Sequence, residues 1–279
     1  MGKWSWKNFW PRTLGDKIAL VITVSTIHFI VFFEAFVILP HLHHGHVSHF
    51  LTGLVLYLNV LISLIYTIQE SATTESVVLP AVLKEGWRFC STCEANSPPR
   101  SFHCFVCDRC ILRRDHHCVF TGNCIGLNNQ RHFIMFVGYL CIGALYCNYL
   151  NVDYIWEIVQ ELNFKTFLAL LAPFLAFAFG ILEGFSFAMA LVSALSFFGF
   201  MLLAALFAYH FINLANGQIT HERSHNIRLY SLSKWQANVR QVFGDKWKVS
   251  WICSMIRSPL PTAGLAYPTR IRSENIKDL

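Results

Sequence analysis

Seven of the chain's ten cysteines lie between Cys90 and Cys124, with three histidines threaded among them. The order is Cys90-x2-Cys93, then His103-Cys104-x2-Cys107-x2-Cys110, then Asp115-His116-His117-Cys118, then Cys124. Repeated Cys-x2-Cys pairs with histidine nearby have the spacing of tetrahedral zinc sites. Two sites of three Cys and one His would use six cysteines and two histidines. One Cys and one His then remain. Cys118 and His116 are the economical remainder, because they sit together beside Asp115. A thiol next to an imidazole that a carboxylate orients is the arrangement of an activated nucleophile. The histidine takes the thiol proton, and the carboxylate fixes the tautomer and stabilises the imidazolium. Arg113 and Arg114 would favour thiolate further. Spacing alone does not say which cysteine joins which metal, and it leaves Cys118 open as nucleophile or as ligand.

Something must hold this segment. The chain has 279 residues, 54% of them hydrophobic and 14% charged, against roughly 25% charged in an ordinary soluble domain. So many apolar residues with so few charges must be read as membrane spans. Apolar runs cover 17–39, 50–68, 132–150 and about 186–213, with 164–183 as a re-entrant, lumen-surface or lid segment. A helix needs about 20 residues to cross the hydrocarbon. Of the 22 Lys and Arg, four lie at or before Lys17, seven between Lys84 and Arg131, and ten from Arg223 onward. Positive loops stay in the cytosol, so both termini and the cysteine-rich loop are expected on the cytosolic side. Disulfides are then disfavoured.

The expected organisation is a Trp-rich collar over 1–16 (Trp4, Trp6, Trp10), spans 1 and 2 over 17–68, the cysteine-rich domain over 69–131, spans 3 and 4 over 132–214, and a basic tail over 215–279. The first span is too long, and too poor in small residues at its end, for a cleavable signal. Met1-Gly2 is a poor myristoylation start, because the sixth residue is Trp6. The chain reads as free of internal repeats. Within the tail, Tyr230–Phe243 suits a short amphipathic helix ending at Gly244. The net charge of +6 suits anionic lipid and CoA phosphates, and no nucleic-acid module is visible. Glu34 and Glu183 are acids in apolar surroundings, read mainly as helix-end residues. His41, His43, His44, His46 and His49 read as an interfacial loop.

Continued through Asn129-x3-Phe133, the cysteine-histidine pattern closely resembles the DHHC cysteine-rich domain of protein S-acyltransferases. The match covers residues 87–133, and flanking spans and tail extend it over nearly the whole chain. The resemblance implies an all-α integral membrane protein, a four-helix transmembrane bundle bearing a loop-rich two-zinc domain on its cytosolic face. By position it assigns Cys90, Cys93, His103 and Cys110 to one structural Zn2+, and Cys104, Cys107, His117 and Cys124 to a second. Cys118 becomes the acylated cysteine, His116 the base and Asp115 its orienter. The family's Thr-Thr-x-Glu element is met by Ile219-Thr220-His221-Glu222, which lacks the first Thr and keeps Thr220, the one that supports the acid. Asn238 to Asp245 resembles the family's C-terminal motif around a structural Asn. After Cys118 the family has Pro-Trp where this chain has Val119-Phe120, so the loop is less rigid.

The implied activity is protein S-palmitoyl transfer. A long acyl chain passes from acyl-CoA (palmitoyl-CoA, the co-substrate) to Cys118, then to a thiol of a membrane-associated client protein. Lys84, Arg88, Arg113, Arg114 and Arg131 are candidates for the CoA phosphates, with positive-inside charge as the alternative. The expected location is a multi-pass position in the bilayer of the endoplasmic reticulum or Golgi. A zinc-bearing membrane adaptor and a RING-like ubiquitin ligase are the competing classes. Neither needs an acyl-enzyme on Cys118.

Overall fold

The computed structural model describes residues 10–41, 45–70, 72–152, 156 and 164–270. Trp4, Trp6, His43, His44 and most of the 151–163 connection lie outside them. Among the described residues four helical segments are long and apolar enough to cross a membrane: Leu14–Ile38, His46–Gln69, Gln130–Leu150 and Gly184–Ala215. These match the four spans read from the sequence. We label the helices α1 (Leu14–Phe33), α2 (His46–Gln69) and α3 (Gln130–Leu150). They are followed by α4 (Phe164–Leu171), α5 (Pro173–Ala178), α6 (Gly184–Ala215), α7 (Thr220–Ser224) and α8 (Trp235–Phe243). The segment 164–183 is thus two short helices, each too short to span. Large apolar side chains such as Ile18, Val21, Ile22, Phe29 and Phe32 stand exposed along α1, an apolar surface suited to lipid.

Contacts divide the chain into two units. One comprises Ser25–Leu58 and Val137–Phe207. There α1 ends in a π-helical turn, Glu34–Ile38. Ile38, Leu150 and Met189 form a small core with Phe33, Val37 and Tyr146 against it. Polar contacts cross this apolar region. Asn151 Nδ2 donates to Glu34 Oε1 at 3.0 Å, and Asn148 Nδ2 donates to Ser196 O at 3.0 Å. A lone polar group in hydrocarbon is costly, and the Asn151 contact satisfies one of the two carboxylate oxygens of the buried Glu34. Glu183 is exposed.

The other unit comprises Met1–Val24, Asn59–Phe136 and Ala208–Leu279. Its cysteine-rich segment forms three antiparallel hairpins: β1 (Arg88–Cys90) with β2 (Ala95–Ser97), β3 (Phe102–Cys104) with β4 (Arg109–Ile111), and β5 (His116–Cys118) with β6 (Asn123–Ile125). Each strand has three residues. A hairpin that small is not stable alone in water. The hairpins lean on a small core of Ala72, Ile111, Cys104 and Cys124. Leu112 N–H donates to Ala72 O at 2.7 Å.

The hairpins overturn the expectation of no repeat. They start at Arg88, Phe102 and His116, a fixed offset along the chain. Each first strand ends on a cysteine (Cys90, Cys104, Cys118), and each turn has a positive-φ residue at the fourth position after it. These are Glu94 at 47°, Asp108 at 50° and Gly122 at 60°. The left-handed turn folds the chain tightly behind the cysteine. Val119, Phe120 and Thr121 in the third turn share almost no residue types with Ser91, Thr92 and Cys93 in the first. The repeat is therefore visible only once the turns are seen to coincide.

Candidate functional site

Side chains alternate across a strand, and that alternation sorts the ligands. His103 faces Cys110 across the second hairpin, and His117 faces Cys124 across the third. The neighbouring Cys104 and Cys118 point to the opposite faces. Each metal-capable cluster therefore draws on two consecutive hairpins. Cys90, Cys93, His103 and Cys110 gather with their ligand atoms within 4.8 Å of one another, and so do Cys104, Cys107, His117 and Cys124. His103 Nδ1 lies 3.3 Å from Cys93 Sγ, and His117 Nδ1 lies 3.4 Å from Cys107 Sγ. Three sulfurs and one imidazole nitrogen are a closed donor set for zinc. The crowding fits a dication. Burial first, then Cys90 and Cys93, push the Cys110 thiol up to about 12. Cys107 and burial push Cys124 up as well. Thiols that resist ionising beside one another are relieved by a metal.

The third hairpin has no successor, since after β6 the chain enters α3. Cys118 holds the place that Cys90 and Cys104 hold in the clusters, but Thr121 stands where the second cysteine would be. Cys118 is thus a knuckle cysteine that belongs to no metal-capable cluster among the described residues.

The same alternation puts His116 and Cys118 on one face of β5 and His117 on the other. His116 Nδ1 is 2.8 Å from Asp115 Oδ2, and the His116 ring and the Cys118 thiol influence one another's ionisation. Asp115 is buried. Burial raises its pKa, but the His116 hydrogen bond, the nearby imidazoles and the Thr220 N–H together hold it below the usual carboxylate range. Burial works against the His116 cation, yet Asp115 and then Cys118 raise it to about 9. Burial raises the Cys118 thiol, while His116 and then Thr121 bring it below its ordinary value. The arrangement favours a thiolate–imidazolium pair, chemistry suited to a thiol nucleophile.

Three segments brace this line. Asn129 Nδ2 donates to Thr67 O and Cys124 O at 3.0 Å each, and its Oδ1 accepts from Gly126 N at 2.8 Å. The Phe133 ring stands edge-on to His116 at 5.0 Å. These contacts give Asn129-x3-Phe133 a physical reason. Thr220 reaches Asp115 through its backbone: the N–H donates to Oδ1 at 2.8 Å, while Thr220 Oγ1 is buried with no hydrogen-bond partner among the described residues. The turn carrying that amide is clamped from below. Arg100 donates from Nε and Nη2 to the Glu222 carboxylate at 2.8 and 2.7 Å, and from Nη2 to Gly217 O. Glu222 Oε2 accepts from Ile219 N at 3.0 Å. Tyr230 and Tyr267 flank the guanidinium at 4.8 and 5.0 Å. Asn238 joins the ends, donating to Ala215 O at 2.8 Å and accepting from Leu232 N at 2.9 Å.

Two residues absent from the sequence reading belong here. Asp16 Oδ2 lies 3.2 Å from His117 Nε2, placing a carboxylate behind a metal-capable histidine. His210, on α6, sets Nδ1 3.6 Å from Asp115 Oδ2. The only sequence signals were an acid beside the start of the first span and a histidine three residues before the end of the last apolar run.

The basic candidates scatter. Lys84 and Arg88 are exposed, and Arg88 stacks 4.4 Å over Phe102. Arg131 Nε lies 3.1 Å from His132 Nε2. Arg114 faces the thiols of Cys124 and Cys104. Arg113 is 1% exposed, donates to Gln241 O at 3.4 Å, and is lowered by burial to about 10.

A family model described as DHHC palmitoyltransferase matches residues 83–227. The protein named "Probable palmitoyltransferase ZDHHC24" in Danio rerio is 37% identical over 186 residues, covering 66% of this chain and 63% of that one. Its namesake in Mus musculus is 31% identical over 214 residues, covering 76% and 75%. "Palmitoyltransferase ZDHHC22" of Mus musculus is 32% identical over 162 residues, covering 57% and 61%. The chain thus spans just under two thirds of the Danio rerio relative. Family match, four apolar helices and two Cys3His clusters agree, and the chain belongs to the DHHC palmitoyltransferase family.

Proposed function

We propose that this protein is a protein-cysteine S-palmitoyltransferase that works by a ping-pong mechanism through Cys118. The observation that carries the reading is the Asp115–His116 hydrogen bond next to a Cys118 thiol held below its ordinary value, with Cys118 in neither Cys3His cluster of the described residues. Cys90, Cys93, His103 and Cys110 would hold one zinc, and Cys104, Cys107, His117 and Cys124 the other. When bound, each zinc is a structural tie, closed by four protein ligands with no open position for water.

The Cys118 thiolate attacks the carbonyl carbon of acyl-CoA. The C–S bond to CoA breaks, and His116 gives its proton to the departing CoA thiolate. A client thiol then loses its proton to His116 and attacks the acyl-enzyme. The acyl group moves to the client sulfur, and Cys118 leaves as thiolate. One thioester is exchanged for another at each step. The protein therefore contributes positioning and proton handling rather than a large driving force. Asp115 keeps His116 in its tautomer, and the Thr220 amide keeps Asp115 aimed.

The distribution of Lys and Arg supports a cytosolic face for residues 69–131, for the collar over 1–16 and for the tail over 215–279. Acyl-CoA and membrane-associated clients meet on that side, in an internal membrane such as the endoplasmic reticulum or Golgi. Lys84 and Arg88, which are exposed, suit the CoA phosphates better than Arg113. The test is incubation of the purified full chain with palmitoyl-CoA. Hydroxylamine-sensitive label on the wild type and none on Cys118→Ser supports the reading. Equal labelling and equal client transfer by both would sink it.

A further inference from the structure

The imidazole of His210 is nine-tenths buried, with a relative exposure of 7%. Among the described residues it faces one carboxylate, Asp115, with Nδ1 3.6 Å from Oδ2. That distance is longer than an ordinary hydrogen bond, so the contact is a long polar one in which an N–H at Nδ1 would face the carboxylate. The His210 and His116 rings lie 5.1 Å apart, tilted by 32°. Phe133 stands edge-on to both, at 5.0 Å from His116 and 4.9 Å from His210. Tyr209 closes another side at 5.2 Å. Asp115, His116 and His210 set their polar atoms within 4.8 Å of one another.

We infer that His210 is a positioning residue for the transfer reaction. It holds the carboxylate of Asp115 and the ring of His116 in the one relative orientation that points the free His116 nitrogen at Cys118. Two features make the inference more than proximity. Asp115 is a short side chain with one rotatable bond between its Cβ and carboxylate. Oδ1 is fixed by the Thr220 N–H, and Oδ2 is shared between His116 and His210. Without His210, Oδ2 is held by His116 alone, and the pair can rotate together away from the thiol. In addition, the His116 ring is bounded by Phe133 and by His210, so removing His210 opens the space into which His116 would tilt. The residue sits at the end of the last span, five positions before Ala215, where α6 ends. Thr220 lies just beyond that end. One continuous segment thus supplies two grips on Asp115.

The inference rests on the proposed role of Cys118, and the experiment keeps the two apart. Full-length wild type, His210→Ala, His210→Asn and His210→Phe are compared in detergent or nanodiscs. Two rates are read: single-turnover acylation of Cys118 by palmitoyl-CoA, and alkylation of the Cys118 thiol by iodoacetamide. Zinc content is measured in parallel. Ala should slow both rates by roughly tenfold, a part of the 10²–10⁴ that positioned acid–base chemistry contributes. The KM for palmitoyl-CoA and the zinc content should stay unchanged. Asn keeps an N–H near the place of Nδ1 and should recover most of the rate. Phe restores ring volume without a polar atom and should stay slow. Ala alkylating and acylating at the wild-type rate would overturn the inference. So would Phe recovering the rate while Asn does not, because His210 would then be filler. If even the wild type fails to acylate, the enzymatic reading falls, and the alkylation rates still decide whether His210 orients the thiol's neighbours.

Discussion

Asp16 Oδ2 lies 3.2 Å from Nε2 of His117, whose other ring nitrogen faces Cys104, Cys107 and Cys124. A carboxylate behind a metal-binding histidine fixes its tautomer and ring orientation. The pair also ties the first residues of α1 to the third hairpin. Gly122, in that hairpin's turn, lies so close to Pro11 that an added Cβ would meet Pro11 Cγ.

Asp16→Ala should weaken the second cluster and spare the first. The expected loss is about 10- to 100-fold in affinity for the metal at that cluster. Release of zinc to a colorimetric chelator would then be biphasic, with one ion leaving early. Simultaneous, wild-type-like release of both ions would show that Asp16 does nothing for His117.

His116 and His117 are adjacent but face opposite sides of β5, so their replacements should differ in kind. His117→Ala should lose the second metal and with it the fold of the third hairpin. His116→Gln should keep both metals and acylate slowly, by about 10²-fold or more given the size of general acid–base effects. Zinc analysis beside single-turnover rates separates the two. Equal metal content in both variants would end the division of labour.

The Arg100–Glu222 pair is buried, with side-chain exposures of 2% and 5%. Removing one partner strands a charge, which costs about 3–5 kcal/mol. Glu222→Ala also frees the Ile219 amide and loosens the turn that presents Thr220 to Asp115. It should lower the thermal midpoint and slow Cys118 acylation together. Thr220→Val, in contrast, removes only an unpartnered hydroxyl and keeps the backbone N–H. It should acylate within about threefold of wild type, since a neutral contact contributes on the order of 1 kcal/mol. A large loss in Thr220→Val would show that the hydroxyl matters after all.

Gly122 combines φ of 60° with the close approach of Pro11. Gly122→Ala should cost about 1–2 kcal/mol for the left-handed backbone, with more from the Pro11 contact. A thermal midpoint equal to that of wild type would contradict the tight turn behind Cys118.

Much of this was legible before any coordinates. Ligand counting left Cys118 and His116 over, and the four apolar runs are the four long helices. The two-ply logic of the hairpins was not legible. Strand alternation explains why His116 and His117 separate, but three-residue strands give no periodic signal to read. The repeat stayed hidden because the third unit has lost its second cysteine. Asp16 and His210 were invisible because each reaches the site from a distant part of the chain. Thr220 was expected to support the acid, and its backbone amide makes that contact. Arg113 was a candidate for the CoA phosphates, yet it is buried.

The central claim is that Cys118 carries the acyl group in a metal-free position while the other six cysteines between Cys90 and Cys124 bind zinc. Native mass spectrometry of the full chain, before and after palmitoyl-CoA, tests both halves at once. The account predicts two zinc ions before and after, matching the two clusters, and one added palmitoyl group mapped by peptide analysis to Cys118. Acylation mapped to Cys104 or Cys124 instead, or a zinc lost as the acyl group arrives, would contradict it.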